Sequence, residues 1–449
     1  MTGWGRTSRS RATLITAPGP DDIFDVARAH FGSNPHLIAR GLGRSYGDAA
    51  QCAGGVVIGT GSLDSIGQID PNSGVVEVGA GVSLDSLLRV GLGSGWFIPV
   101  SPGTSMVSIG GAVAADVHGK NHHVNGSFCN HVPSVKLATP TGTFDVSPDR
   151  DSELFWATTG GMGLTGVVLS AQVVMTKVET SWMRVDTERH GNIDSLMAGL
   201  ERADTTHRYS VAWVDCSGKG RRLGRGIVDA GDHASVGDLR GRQGKKSLTP
   251  PPPKRFNVPG LVPPRVINAM TIGAFNQAWY LKNPSRSGRI RHLSRFFYPL
   301  DSIGDWNRLY GKHGFIQYQF VVSDHHADLV QRSIDLLQGA GAPCSLAVLK
   351  RFGPQNPGPL SFPIKGWTLA LDLAVGPAGL PSGLRKLDEL VAEAGGRVYL
   401  AKDARLDRNA FRSMYPRLGE FEAVCDRVDP QGILRSDLSQ RLGLREGSQ

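Results

Sequence analysis

The chain is poor in cysteine and has no long hydrophobic run, and these two absences exclude several classes of protein. Its five cysteines are scattered, odd in number and form no C-x-x-C pair, so neither a disulfide framework nor a zinc site is expected. No stretch approaches the roughly twenty apolar residues that cross a bilayer. Residues 1–12 contain arginines without a following apolar segment, so no secretory signal peptide is expected. We therefore expect a protein of the cytoplasm or of a membrane surface.

Length, composition and charge indicate a soluble globular protein with a basic surface. At 449 residues the chain is expected to form two or three domains. The net charge of +9 suits an anionic membrane face, a phosphorylated substrate, nucleic acid or simply a solvated basic surface. Nucleic acid is the least favoured of these partners, because no helix-turn-helix, RRM or zinc-finger pattern is visible.

Glycine, in contrast, is abundant at 58 residues, and two glycine-rich segments stand out. They read ARGLGRSYGD at 39–48 and PGTSMVSIGGAVAADVHGK at 102–120. Clustered glycines let main-chain N–H groups approach phosphate oxygens, and a helix beginning near Ser108 would direct its free N–H groups at the same ligand. The first segment lacks the G-x-G-x-x-G spacing and a surrounding βαβ unit, which argues against a Rossmann site. A flavin dinucleotide is the favoured ligand.

Residue periodicity predicts an α+β fold. Strands are predicted at 55–59, 74–82 and 167–174, and a helix with Leu84, Leu87 and Leu88 on one face follows the N-cap Ser83. After about residue 180, further strands are predicted at 209–214, 314–322 and 366–373, with helices at 327–337 and 384–394. These elements favour a second domain that contains an antiparallel sheet.

The predicted organisation is an FAD-binding domain at 1–178, an inserted substrate domain at 179–396 and a C-terminal segment at 397–449 that returns to the first domain. The substrate domain includes a basic, proline-rich loop near 240–265, which we expect to be mobile because its prolines exclude regular structure. One interpretation is that this loop is simply a solvated surface loop. The other is that it acts as a lid or contacts anionic lipid headgroups.

The two segments, together with a glycine turn at 160–166, resemble the FAD-binding domain of the vanillyl-alcohol oxidase (PCMH-type) flavoprotein family. Within this family, the strings HGKNHH at 118–123 and GSFCNH at 126–131 most closely resemble members that oxidise polyprenylphosphoryl ribose. The resemblance continues through ELFWAT at 153–158, WNRLYG at 306–311, QYQF at 317–320, LSFPI at 360–364 and SMYPR at 413–417. It therefore covers nearly the whole chain.

The resemblance implies FAD-dependent oxidation of the 2′-hydroxyl of a polyprenylphosphoryl-β-D-ribose to the 2′-keto sugar. This reaction is the first half of an epimerisation that yields the arabinose donor for cell-wall arabinan, and an NADH-dependent short-chain reductase would complete it. A substrate with a hydrophobic polyprenyl chain also implies peripheral contact of the enzyme with a membrane. Three alternatives stay open: an alditol or aldonolactone oxidase with a soluble polyol substrate, a paralogue for another polyprenyl-phospho-sugar, and a non-catalytic flavin-binding or polyprenyl-phosphate-binding protein.

The resemblance also assigns the cofactor site, with the pyrophosphate on residues 40–48. The complete predicted set is Arg40, Gly41, Leu42, Gly43, Arg44, Ser45, Tyr46, Gly47, Asp48, Gly103, Ser108, Ile109, Gly110, Gly111, Ala115, Asp116, Val117, His118, Val168 and Tyr399. Many relatives attach FAD through a histidine that follows the loop glycine, but Arg44 stands at this position. We therefore expect non-covalent FAD, although a second family tether through His118 or Cys129 stays open.

Polar residues within apolar runs indicate the substrate pocket. Lys350 ends the run LAVLK, where an unpaired charge is unusual. Gln317 and Gln319 alternate with apolar residues, so both amides are expected on one face of a strand. The alternative is that each is simply an exposed residue of a half-buried sheet. The resemblance assigns the substrate to Lys120, Gln317, Gln319, Lys350, Thr368, Ala370 and Lys402, and catalysis to Tyr46, His118, Lys350 and Lys402.

The residue that removes the hydroxyl proton is not decided by the sequence, because His118, Lys350 and Lys402 all suit this role. His118 and His122 have a metal-ligand spacing, but Lys120 lies between them and no acidic ligand follows, so no metal is predicted. The chain also departs from the members it resembles. Thr368, Ala370 and Ala347 replace Asn, Cys and Asn, which predicts a smaller and less polar wall and puts the identity of the sugar in doubt.

Overall fold

The structure is a computed structural model that describes residues 1–16, 23–24, 36–241, 244, 246–252, 256–260 and 266–444. It combines helices with three main sheets, so the predicted α+β class is confirmed. The predicted loop at 240–265 falls partly outside the described residues, at 242–243, 245, 253–255 and 261–265. Within the described ranges, no helix has the length and apolar character needed to span a membrane.

A small parallel sheet carries the first glycine-rich segment. Its strands are β1 (Thr13–Thr16), β2 (Leu37–Arg40) and β3 (Val56–Gly59), with β3 in the centre. The predicted strand at 55–59 is thereby confirmed. Because β2 ends at Arg40, the chain leaves the sheet directly into the glycine-rich loop.

An antiparallel sheet supports the second glycine-rich segment. Its strand order is β4 (Val75–Gly79), β8 (Val167–Val174), β6 (Ser134–Thr139) and β7 (Gly142–Val146), while β5 (Trp96–Phe97) pairs with β9 (Thr176–Lys177). Helices α1 (Leu84–Gly93) and α2 (Ile109–Ala114) begin at the predicted N-caps. The Ser83 side chain accepts a hydrogen bond from Ser86 N at 3.0 Å, and Ser108 accepts one from Gly111 N at 3.3 Å.

A large antiparallel sheet forms the rest of the framework and confirms the predicted strands beyond residue 180. Its order is β14 (Arg286–His292), β10 (Trp182–His190), β12 (Gly226–His233), β11 (Tyr209–Val214), β17 (Cys344–Phe352), β18 (Gly366–Ala374), β16 (Phe315–Ser323) and β19 (Arg397–Val398). A short parallel pair joins β13 (Phe256–Asn257) to β15 (Ile303–Gly304). In β16 and β18, register pairs Gln317 with Asp372 and Gln319 with Ala370, so polar residues of neighbouring strands share one face.

The other helices pack around these sheets. They are α3 (His122–Asn125), α4 (Ser152–Thr158), α5 (Ile193–Thr206), α6 (Ala269–Lys282), α7 (Leu293–Phe297), α8 (Asp328–Gly339), α9 (Leu380–Glu393), α10 (Arg408–Met414), α11 (Leu418–Val428) and α12 (Asp437–Leu442). Short 3₁₀ turns lie at Phe128–His131, Gly220–Arg222, Val236–Asp238, Trp306–His313 and Asp324–His326. Helices α8 and α9 pack together, and α9 buries Leu384 and Leu387 on the side that contacts β16.

The C-terminal part of the chain contacts the small parallel sheet. Leu37 N donates to Ile433 O at 2.9 Å, and the Arg441 guanidinium binds both carboxylate oxygens of Asp48 at 2.8 and 2.9 Å. Arg441 also lies 2.8 Å from a carboxylate oxygen of Asp403. Asp48 and Asp403 are both buried, so one cation pairs with two buried carboxylates. The domain boundaries themselves stay a prediction.

We expect Arg441→Met to destabilise the protein by about 3 kcal/mol, because it removes the cation that pairs with two buried carboxylates. The matched control is Arg332→Met, which removes an ion pair to Asp328 whose side chains are 53% and 59% exposed, and which should cost about 0–1 kcal/mol. Urea unfolding of both variants measures the difference. Equal losses of stability in the two variants would contradict the role assigned to Arg441.

Candidate active site

The first glycine-rich segment forms an open loop after β2. Gly43 has a φ of +63°, in the left-handed region that favours glycine. No residue in the described ranges accepts a hydrogen bond from the backbone N–H groups of residues 42–45. Successive free N–H groups around a left-handed glycine form a concave anion site, so this loop fits the pyrophosphate of a dinucleotide.

The two glycine-rich segments are in direct contact. A Cβ atom added to Gly41 would lie 2.0 Å from Ser108 Oγ, the N-cap of α2. Only glycine therefore allows this approach. The contact places the loop beside residues 108–111, which were predicted to line the same cofactor.

Several side chains predicted to bind the cofactor make contacts that hold the loop in place. The Arg40 guanidinium donates to Thr2 O and Ala50 O, each at 2.9 Å, and Asp48 is bound by Arg441. The Arg44 guanidinium carbon lies 4.0 Å from the centre of the Trp4 ring. These contacts leave the loop backbone, rather than its charged side chains, to face a ligand.

Residues 115–118 follow α2 and are covered by the C-terminal segment. Tyr399 donates its hydroxyl proton to Ala115 O at 2.7 Å. Asp116 accepts hydrogen bonds from Cys129 N at 3.2 Å and Asn356 Nδ2 at 2.6 Å, while its burial raises the carboxyl pKa to about 6. A small cavity adjoins this segment and is lined by Ala115, Asp116, Gly160, Met162, Leu360, Phe362, Tyr399, Leu400 and Tyr415.

The remaining predicted cofactor residues lie in different surroundings. Gly103 is exposed, whereas Val168 is buried in β8 and pairs with Leu137. The Cys129 sulfur lies 3.7 Å from Val113 O, and burial raises the pKa of this thiol well above its usual range. Because the thiolate is the reactive form of cysteine, Cys129 is poorly suited to a covalent tether.

A chain of hydrogen bonds joins β18, β16 and His118. The Thr368 hydroxyl donates to Phe320 O at 2.8 Å, so its oxygen accepts from Gln319 Nε2 at 3.1 Å. The same Gln319 nitrogen lies 2.9 Å from His118 Nε2. No described residue bonds to the buried His118 Nδ1. The ring is therefore held by one nitrogen while the other stays available for a ligand.

Three lysines surround this polar face, and each has a lowered pKa. Burial lowers the pKa of Lys350 to about 7, assisted by the nearby charges of Lys120 and Lys402. Burial also lowers the pKa of Lys402 to about 7, against the opposing effect of Asp372. Lys402 Nζ lies 3.8 Å from the centre of the Tyr46 ring. The structure thus brings Tyr46, Lys350 and Lys402 together.

Lys120 lies at the edge of this group and contacts α7. Its ammonium donates to Phe296 O and lies 4.3 Å from the centre of the Phe296 ring. Burial lowers its pKa to about 8, with Asp229 acting in the opposite direction. Its charge nevertheless influences Lys350, so Lys120 borders the same pocket.

Asp372 is the polar residue of this face that the sequence analysis missed. It is buried on β18, where Gln317 donates to one carboxylate oxygen, and no described residue hydrogen bonds to the other. Burial raises its pKa to about 7. The available signal was an acid inside the apolar run WTLALDL, which is the same kind of signal that identified Lys350.

The prediction that Ala347 lines the pocket is wrong. Lys350 pairs with Thr368 across β17 and β18, whereas Ala347 pairs with Leu371. Successive residues of a strand face opposite sides, so Ala347 faces away from Lys350. The altered wall consists of Thr368, which is buried and hydrogen bonded, and Ala370, which is half-buried opposite Gln319.

Two known sequence families match an N-terminal and a C-terminal part of the chain that contribute to this site. The FAD binding domain family matches residues 15–146, which include the glycine-rich loop and α2. The D-arabinono-1,4-lactone oxidase family matches residues 384–442, which contain Tyr399 and Lys402. The predicted FAD cofactor and PCMH-type fold are therefore confirmed.

The chain is similar to two proteins over most of its length and to a third over a shorter stretch. It is 41% identical over 448 residues to the decaprenylphosphoryl-β-D-ribose oxidase of Mycolicibacterium smegmatis, which covers 99% of this chain and 97% of that protein. It is also 39% identical over 371 residues to an uncharacterised protein of Streptomyces coelicolor, covering 81% of this chain and 100% of that protein. A more distant match, 28% over 130 residues, is L-gulonolactone oxidase 3 of Arabidopsis thaliana, covering 27% of this chain and 22% of that protein. The chain belongs to the family of FAD-dependent oxidoreductases that includes decaprenylphosphoryl-β-D-ribose oxidase.

Proposed function

We propose that this enzyme oxidises the 2′-hydroxyl of a polyprenylphosphoryl-β-D-ribose to the 2′-keto sugar. The observation that carries the proposal is the shared face of β16, β17 and β18. It combines amides that suit sugar hydroxyls with lysines that suit a phosphate, next to His118. The name of the Mycolicibacterium smegmatis relative supports the same substrate class.

The cofactor would be held by the backbone of residues 42–45 and by the segment 115–118. When bound, FAD supplies the acceptor for the hydride that leaves the alcohol carbon. The chain itself must orient that carbon and receive the hydroxyl proton. Gln317 and Gln319 are the proposed orienting groups, since their amides lie on the pocket face of β16.

The hydrogen-bond chain supports a donor role for His118. Thr368 gives its own proton to Phe320 O, so Gln319 must direct its NH₂ group at both Thr368 and His118. His118 Nε2 then accepts, and the proton of the neutral ring resides on Nδ1. Burial lowers the His118 pKa well below its usual range, so the ring stays neutral. We therefore assign His118 to hold an oxygen atom of the ligand rather than to remove a proton.

The proton acceptor that fits best is Lys350. The charged forms of its neighbours Lys120 and Lys402 both favour its neutral, basic form. Lys402 differs, because the Asp372 carboxylate favours its charged form. Lys402 and Lys120 are accordingly the proposed contacts for the phosphate, and Asp372 is a positioning residue for Lys402.

A 2′-keto product needs a reductase before it becomes an arabinose. An NADH-dependent short-chain reductase is the proposed partner, because hydride delivery to the opposite face of the ketone inverts the carbon. We also propose a peripheral membrane location for the enzyme, since the polyprenyl chain of the substrate stays in lipid.

Anaerobic mixing of the FAD-loaded enzyme with a polyprenylphosphoryl ribose should bleach the flavin absorbance in one turnover. The free alditol xylitol, at the same concentration, is the matched control and should leave the absorbance unchanged. Bleaching by xylitol alone would favour the soluble-polyol alternative, which the aldonolactone-oxidase match at 384–442 also suggests. A protein that binds no FAD would contradict both functions.

The rate of flavin reduction should rise with pH from about 6 to 8, because the neutral amine of Lys350 is the acceptor and its pKa is about 7. Lys350→Ala should remove this rise and lower the rate by about 10²–10⁴-fold while FAD stays bound. Lys402→Ala is the control and should mainly weaken substrate binding. Stopped-flow absorbance measures both effects, and loss of FAD from Lys350→Ala would contradict the assignment.

Acid precipitation should release the flavin into the supernatant and leave a colourless pellet, because Arg44 replaces the tether histidine and the Cys129 thiol is buried. The absorbance of the two fractions measures this release. A yellow pellet would show a covalent bond. Cys129→Ser would then identify its attachment point if the colour moved to the supernatant.

A further inference from the structure

Helix α6 presents its apolar side to solvent. Met270, Phe275 and Leu281 are 83%, 56% and 60% exposed, and Trp279 is also exposed beside Phe275. The rings of Phe275 and Trp279 stack at 6.1 Å. A run of large apolar side chains in water is unusual for one helix and marks an interaction surface.

The opposite side of α6 is bound to the large sheet through polar groups. Asn276 donates to the buried Asp215 at 2.8 Å, and Gln277 accepts from Arg225 at 2.8 Å. The guanidinium carbon of Arg225 lies 4.7 Å from the centre of the Tyr280 ring. Ile272 is buried on this side as well, but the other docking groups are polar and the large exposed side chains are apolar, which departs from the usual arrangement of a surface helix.

The surroundings of α6 are strongly basic. Residues 239–300 contain twelve Lys and Arg residues and no Asp or Glu. Of these, Lys282 at the end of α6 and Arg286 and Arg289 in β14 are exposed. An outward apolar helix flanked by exposed cations complements an anionic lipid surface, where side chains enter the headgroup region and cations meet phosphates.

We propose that α6, with Lys282, Arg286 and Arg289, is the surface by which this enzyme docks on membranes that contain anionic lipid. This docking surface rests on the proposed function, because docking would keep the enzyme at the lipid that carries its substrate. Strand β14 connects this surface to the pocket. It runs from Arg286 to His292, roughly 23 Å at 3.3 Å per residue, and leads into α7, where Phe296 contacts Lys120.

Co-sedimentation with vesicles tests the proposal on the FAD-loaded, full-length enzyme without any sugar substrate. The wild-type protein should pellet with phosphatidylglycerol–phosphatidylcholine vesicles, less so at high salt, and only weakly with pure phosphatidylcholine. The double variant Phe275→Ser/Leu281→Ser should lower the affinity for the anionic vesicles at least about tenfold, because it removes two inserting side chains. The triple variant Lys282→Gln/Arg286→Gln/Arg289→Gln should also lower it about tenfold or more.

The matched control is Leu14→Ser/Val90→Ser, whose two sites are 60% and 49% exposed elsewhere on the surface. It should bind vesicles like the wild type. Retained FAD and an unchanged melting temperature show that each variant is folded. The proposal is overturned if the wild type ignores anionic vesicles or if the α6 variant binds them as tightly as the control. It is also overturned if sedimentation velocity shows that α6 instead joins two copies of the chain.

These outcomes are separate from those of the proposed oxidation. Vesicle binding without flavin reduction would retain the docking surface and reject the substrate. Flavin reduction by a short-chain, soluble substrate without vesicle binding would retain the reaction and reject the surface.

Discussion

The hydrogen bond between Gln319 and His118 joins the two parts of this active site. His118 belongs to the segment that follows the second glycine-rich stretch, and Gln319 belongs to the large sheet. Thr368 orients the Gln319 amide by donating its own proton to Phe320 O. This short chain therefore determines which nitrogen of His118 carries the proton. A change at Thr368 would alter the chemistry at His118 without any direct contact between them.

A second constraint is the crowding of cations on one sheet face. The charges of Lys120 and Lys402 both act on Lys350, and burial makes the charged form of each lysine costly. Asp372 is the buried carboxylate that offsets this charge, and it acts on Lys402 rather than on Lys350. Two lysines with similar pKa values thereby become suited to different tasks. An anionic substrate would complete the charge balance of the pocket.

The fold was largely predictable from local sequence patterns. The N-caps Ser83 and Ser108 begin helices as expected, and alternating residues form strands at the predicted places. The strand pattern also put Gln317 and Gln319 on one face, because alternation is a local property. It did not reveal the partner strands. Asp372 and Ala347 are different, because local signals were available for both: an acid stands inside the apolar run of β18, and a three-residue spacing from Lys350 puts Ala347 on the opposite face of β17.

The sequence by itself determined the cofactor class, the α+β fold and the residue types of the pocket. Glycine placement, capping residues and charges within apolar runs are local signals that need no knowledge of distant contacts. The tertiary structure alone decided which groups act on each other. It paired Asp372 with Gln317, placed Arg441 on Asp48 and turned the apolar side of α6 outwards. Each of these features depends on packing between segments that are far apart in the chain. The position of a proton, the pairing of a charge and the exposure of a ring are all set by neighbouring residues in space.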